Sequence, residues 1–302
     1  MPSVNISLLP APDVIETLDF ETILESWLDR YVNAWPTEQQ DAVRAAVSLP
    51  SDPVRKILEV AAYQEMILRQ RVNDGARACM VAYSQGNDLD NLAAAVGVKR
   101  LVITPEDPHA TPPVPAVMES DNDLRLRIPQ AFEGMSTAGP VNSYIFHARS
   151  ADGRVADASA ISPSPACVTV TVLSREGDGT ASQELLDKVS AALNDEDVRP
   201  VADRVTVQSA RIVEYDIDAV LYLYPGPESG AVLAASEQKL ARYISDQHRL
   251  GRDIRLSAIY AACHVEGVQR VVLNAPTADQ VLDNTQASWC TRHTLTVGGT
   301  DE

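Results

Sequence analysis

The chain has 302 residues, 45 % of them hydrophobic and 22 % charged, which is the make-up of an ordinary folded protein with material for two or three cores. Its 42 acidic against 25 basic residues leave a net charge of −17, a field that repels nucleic acid and anionic membrane. Only 5 % is aromatic, so cores must be built from Leu, Val, Ile and Ala. Cys79, Cys167, Cys263 and Cys290 are scattered without CxxC spacing, the usage of reduced thiols in a cytoplasm. The opening Met-Pro-Ser-Val-Asn lacks the basic and apolar regions of a signal peptide, and no apolar run reaches the roughly 20 residues a membrane helix needs.

Residues 1–18 read as extended and proline-punctuated. Asp19 opens a helix with Phe20, Ile23, Leu24, Trp27, Leu28 and Tyr31 at helical spacing, and Trp35-Pro36 ends it. Thr37 caps a short helix over about 38–47. The longest element follows: Asp52-Pro53 supplies an N-cap and a first-turn proline, and helical pattern runs on to about Tyr83, with Gly86 as its stop. Val54, Leu58, Ala61, Glu65, Leu68, Val72, Gly75, Cys79 and Ala82 recur at steps of four and three, a helix-packing seam. Such a helix serves either as the core of one domain or in a bundle with helices of other subunits. Val54, Leu58, Ala61, Leu68, Val72 and Cys79 are the candidate interface.

Gly86 to Gly97 reads as a short amphipathic helix bearing Leu89, Leu92 and Val96. Thr104 to Pro115 then packs five prolines into a stiff, extended linker. A helix through Leu124, Ile128 and Phe132, kinked near Pro129, is followed by a second over Thr137–Ala148 and a strand over Val155–Ile161. Val168, Val170 and Val172 alternate with threonines in another strand. Gly177-Asp-Gly179 is a turn, Ser182 an N-cap, and Leu185, Leu186, Val189 and Leu193 an apolar helix stripe. Pro200 precedes a strand carrying Val205 and Val207. Ile212 to Tyr224 is a long strand whose Glu214, Asp216 and Asp218 mark a wet face. Helices over about Ala231–His248 and Leu256–Cys263, a strand over Val265–Leu273, a turn at Asn274-Ala-Pro276 and a closing strand over Trp289–Val297 complete the chain.

The expected class is α+β and multi-domain: a helical N-terminal region with a long helix, then mixed α/β domains with small sheets. The expected division is 1–103 helical, 104–116 linker, 117–165 a small helix–strand domain and 166–302 an α+β domain.

Chemistry is sparse. The five histidines fall on unrelated elements. Cys290 and His293, with Cys263 and His264, carry zinc-ligand residue types, but residues three apart on a strand are expected on opposite faces. Glu176-Gly-Asp-Gly179 lacks the GKS/T end of a phosphate loop and the acidic ladder of a calcium loop. Asp195-Glu-Asp197 beside Arg199 reads as a solvated cluster at a helix end. No catalytic, metal-binding or cofactor-binding residue is assigned, and no enzymatic activity is expected.

Several blocks, in order, resemble the baseplate J-like proteins of contractile-tailed bacteriophages. They are Gly86-x-x-Leu89-Asp90-x-Leu92-Ala93 with Gly97-Val98-x-Arg100, and Glu119-x-Asp121 with Leu124-Arg125-x-Arg127-Ile128. Then come Gly177-Asp-Gly-Thr180, Glu184-Leu-Leu186, Val198-Arg199-Pro200 and Asp203-Arg-Val-Thr-Val207, and finally Gly251-Arg-Asp253-Ile254, Ser257 and Gly267-Val268. The resemblance spans roughly residues 50–280. It implies a structural wedge component of a tail baseplate, active in tail assembly and in the rearrangement that triggers sheath contraction. The implied partners are a second copy in a nonequivalent conformation, a tail protein I-type wedge partner, a lysozyme-like wedge protein and adjacent wedges around the spike and hub. The implied locations are the host cytoplasm during assembly and the virion tail, or a headless tailocin, when mature. The competing classes are an assembly chaperone absent from the finished particle and a hydrolase using sheet-edge carboxylates.

Overall fold

The computed structural model describes residues 10, 12–135, 139–226 and 229–300. Most of the extended N-terminal stretch and the start of the helix expected from Thr137 lie outside them. The fold is α+β, with helices first and small sheets after. It divides into two compact units, residues 1–99 with 121–128, and residues 100–120 with 129–302.

In the first unit, α1 (Phe20–Asn33) starts where the Asp19 carboxylate accepts the Thr22 N–H. α2 (Thr37–Val47) follows Pro36. α3 (Pro53–Ala78) is capped by Asp52, which accepts from the N–H groups of Val54 and Arg55. Its 26 residues span about 39 Å. Phe20, Ile23, Leu24, Trp27 and Leu28 of α1 pack on Val54, Leu58, Ala62 and Met66 of α3.

α3 ends five residues short of the expected Tyr83, and Gly86 begins the next helix instead of stopping this one, at φ +52°. The segment between the two helices is held by tertiary contacts. The carbonyls of Val81 and Ser84 are taken by the buried Arg125 guanidinium, at 2.8 and 2.7 Å. Asp121 accepts the Gly86 N–H at 3.1 Å, and α4 runs Gly86–Ala94. Arg125 and Asp121 sit on α5 (Asp121–Gly134), which carries Pro129 without a break in its residue span and belongs to the first unit through Ile128.

In the second unit, β1 (Val102–Thr104) and β2 (Val117–Met118) pair antiparallel. Residues 104–116, read from sequence as an extended linker, therefore double back between them, and Asp107 and Val114 exchange backbone hydrogen bonds of 2.9 and 3.0 Å. Five prolines stiffen this loop without straightening it.

α6 (Val141–Ala151) precedes β3 (Val155–Ser164), which pairs antiparallel with β4 (Cys167–Ser174) across Pro165 and Ala166. α7 (Gln183–Leu193) then crosses to β5 (Arg204–Ser209), parallel to β4. Leu185, Val189 and Leu193 of α7 and Tyr144 and Ala148 of α6 bury against Val170 and Val172. A second sheet has the order β7-β6-β8: β6 (Arg211–Leu223), antiparallel β7 (Val268–Ala275) and parallel β8 (Gln286–Thr300). α8 (Ser229–Gln247) and α9 (Leu256–Cys263) cover one face, burying Tyr215, Ile217, Ala219, Leu221 and Leu223. β7 starts three residues later than expected and runs through the expected turn to Ala275, because its partner β6 continues alongside.

The two sheets share a seam. Arg249 donates to the Ala156 carbonyl at 2.8 Å, the Leu250 N–H to Asp157 at 3.1 Å, and the Ala210 N–H to Val172 at 2.8 Å. The Ser159 hydroxyl donates to the Asn284 carbonyl, and Ala156, Leu173, Ala210 and Ala287 form an apolar joint between them.

Candidate interaction surfaces

α3 carries two apolar faces. One packs on α1 and is fixed by polar contacts: the Trp27 indole donates to Glu65 at 2.7 Å, and Arg69 pairs with Glu65 at 2.7 Å. The buried Asn73 amide donates to the Glu16 carbonyl at 2.9 Å and accepts the Glu16 N–H at 3.1 Å. Glu65, the polar member of the predicted seam, therefore answers Trp27 within the chain.

The other face is open. Ile57, Val60, Tyr63, Ile67, Leu68 and Val72 are all exposed. The predicted interface is thus split. Leu58 is 7 % exposed in the α1–α3 core, Val54 and Ala61 are half-buried beside it, and Leu68 and Val72 lie outside at 66 % and 64 %. Cys79 is exposed, just past the helix. Sequence periodicity missed Ile57, Val60, Tyr63 and Ile67 because a helix with two apolar stripes offers two seams, and spacing alone does not say which one α1 takes. An open groove of about 380 Å³ lies along this unit, lined by Leu18, Met66, Ile67, Gln70, Arg71 and Asp74.

The blocks that carry the family resemblance turn out to be fasteners. Gly179 sits at φ +100°, and a Cβ there would lie 2.6 Å from Leu173 Cδ1 and 2.9 Å from His248 Nε2. Pro200 packs where a Cβ on Gly139 would be 2.6 Å away. Asp203 accepts from the buried Tyr144 hydroxyl at 2.6 Å, and burial, then this bond, push the tyrosine above its ordinary pKa. Asp253 accepts the Leu282 N–H at 2.9 Å and pairs with Arg255 at 2.6 Å.

Among the described residues no group of three or more His, Cys, Asp and Glu is placed to hold a metal. Cys290 and His293 do not take the opposite faces expected from their spacing. β8 steps from Cys290 opposite Tyr215 to Arg292 opposite Asp216, so Thr291 is an extra, bulged residue and His293 pairs with Ile217. Cys290 and His293 therefore share the core-side face, with Cys290 packed against the core. Burial pushes the Cys263 thiol up to about 11, which leaves it unreactive.

The other face of the β7-β6-β8 sheet carries Glu214, Asp216 and Asp218, as read from the sequence. Arg292 lies 3.4 Å from Asp216, Asn274 donates to Asp218 at 3.2 Å, and the Arg270 guanidinium stacks 4.0 Å over the Tyr222 ring.

Three family models match in sequence: the baseplate J-like N-terminal domain over residues 50–107, the central domain over 136–209 and the C-terminal domain over 215–298. The chain is 62 % identical over 302 residues, the whole of both chains, to baseplate protein J of Escherichia phage P2. Among solved structures, a chain in the cryo-EM structure of the anti-feeding prophage baseplate, six-fold symmetrised, is 12 % identical at a TM-score of 0.41. That likeness covers 60 % of this chain and 45 % of the other, and is too slight to build on.

Proposed function

The chain belongs to the baseplate J-like family, and on that footing we propose that it is a wedge subunit of a contractile phage tail baseplate, working through interfaces and not through catalysis. Its place is the virion tail baseplate, in keeping with a relative named baseplate protein J. The observation that carries the wedge reading is the second apolar face of α3. Six large apolar side chains stay exposed along a helix already packed on its opposite side. Left in water they forfeit about 1.5–3 kcal/mol each relative to burial, so the face is built for partners.

In this reading Ile57, Val60, Tyr63, Ile67, Leu68 and Val72 join a helix bundle shared with a second copy and a tail protein I-type partner. Leu68 and Val72 remain from the interface expected from sequence, while Leu58 supports the helix from behind. The second unit, with its two sheets bonded at a common seam, presents the surfaces toward neighbouring wedges, the lysozyme-like wedge protein and the hub. Rearrangement on triggering then changes contacts between whole modules. Assembly takes place in the host cytoplasm.

Mass spectrometry of purified tail particles tests the first step. Stoichiometric recovery supports a structural component; presence in assembling cells but absence from particles would replace it with an assembly chaperone. Side-chain-resolution electron microscopy of the tail then tests whether the α3 face lies against other helices.

A further inference from the structure

The open face of α3 is not uniformly apolar. Ile57, Val60, Gln64, Ile67, Arg71 and Asp74 follow one another at steps of three and four, so they share one side of the helix. All six are exposed. The first half of this stripe is apolar apart from Gln64, and the second half places a guanidinium on it. A helix laid over the stripe takes Arg71 out of water, and a charge so enclosed needs an opposite one to answer it.

The chain itself gives no answer. Glu59 pairs with Arg55 at 3.1 Å and with Lys56 at 2.7 Å, and Glu65 pairs with Arg69 at 2.7 Å. Asp74 accepts from the Gln70 amide at 2.7 Å and lies 3.5 Å from Arg77. Among the described residues, Arg71 is thus the cation of α3 left without a hydrogen bond or ion pair. Beside it, a Cβ on Gly75 would meet nothing within 4 Å, which leaves room for a group from outside. α3 is also a basic helix in an acidic chain, with five Arg and Lys residues against three Asp and Glu.

We propose that Arg71 is the charged key of this face and takes a carboxylate from a helix of a different tail protein. The proposal rests on the reading of α3 as a bundle helix and adds what one partner must carry, an Asp or Glu within an apolar stripe. A second copy does not supply it. Two α3 helices in parallel register set Arg71 against Arg71, and in other registers the acids of α3 are already engaged. A single polar position of this kind fixes which helix packs where. A slipped or wrong partner leaves the guanidinium enclosed and unanswered.

Complementation of a strain lacking the protein supplies tail particles carrying the full chain with Arg71→Glu or Arg71→Lys. Arg71→Glu should lower the number of tails by about tenfold or more, and Arg71→Lys, which keeps the charge, should lose much less. Arg71 has no partner among the described residues, so urea unfolding of Arg71→Glu should match the parent and exclude misfolding as the cause. In an electron-microscopy map of parental tails, a carboxylate from a helix of another protein should lie within about 4 Å of the guanidinium. Parental numbers of tails with Arg71→Glu, or a guanidinium that meets solvent or a second copy instead, would overturn the proposal. The bundle reading has its own control. Exclusion of the Ile57→Lys/Leu68→Lys chain from particles that Arg71→Glu enters sinks this proposal alone, and entry of both sinks the bundle as well.

Discussion

The Nε of Arg125 donates to the carbonyl oxygen of Val81 at 2.8 Å, and the same guanidinium reaches the Ser84 carbonyl at 2.7 Å. A side chain more than 40 residues away in sequence thus holds the turn that follows the longest helix. Arg125→Ala leaves both carbonyls without this donor in a buried site and should destabilise the chain by about 2–4 kcal/mol in urea unfolding. Arg125→Lys should restore less than half of that, because an ammonium cannot present the planar fork that spans two carbonyls.

Two glycines should respond in opposite directions. A Cβ on Gly153 would lie 2.3 Å from the Val102 carbonyl oxygen, which is backbone and cannot swing away. Gly153→Ala should lower stability by about 2 kcal/mol or more. Gly75 lies within α3 with nothing within 4 Å, so Gly75→Ala should raise stability by about 0.5–1 kcal/mol. Thermal melts of the two variants decide both.

Acid should loosen the central sheet through Asp152. Burial raises its pKa, but hydrogen bonds from the Arg154 side chain and N–H and from Lys188 outweigh it and hold the group at about 2. A carboxyl depressed on folding stabilises above its unfolded pKa and loses that contribution as pH falls through the folded value. The window is therefore about pH 5 to 2, and the contribution about 1–2 kcal/mol. In Asp152→Asn this part of the acid sensitivity should disappear, seen as a flatter stability–pH curve over that window.

Elements whose signals are local were legible in the sequence. Asp19, Asp52 and Ser182 cap α1, α3 and α7 as their residue types announce. The alternation around Glu214, Asp216 and Asp218 gave β6 and its wet face. What stayed hidden depends on distant partners: Arg125 holding the turn after α3, the pairing of Val102 with Met118 that folds the proline stretch back, and the bulge at Thr291 that turns Cys290 and His293 to one side. The exposed face of α3 was half legible for the same reason. Leu58 and Leu68 occupy equivalent-looking positions in the pattern, and only the docking of α1 sends one inside.

That difference gives the sharpest contrast among single changes. Leu58→Ala should cost about 2–4 kcal/mol of the chain's own stability. Leu68→Lys, at an exposed position, should stay within about 0.5 kcal/mol of the parent in the same urea titration.

Whether the exposed face of α3 is an assembly interface is decided by quantifying the Ile57→Lys/Leu68→Lys chain in purified tail particles. Complementation of a strain lacking the protein supplies the particles, and circular dichroism verifies that the variant is folded. The expected result is a folded variant missing from particles, with few tails formed. Tails that assemble in normal number with the variant present at parental stoichiometry would contradict it.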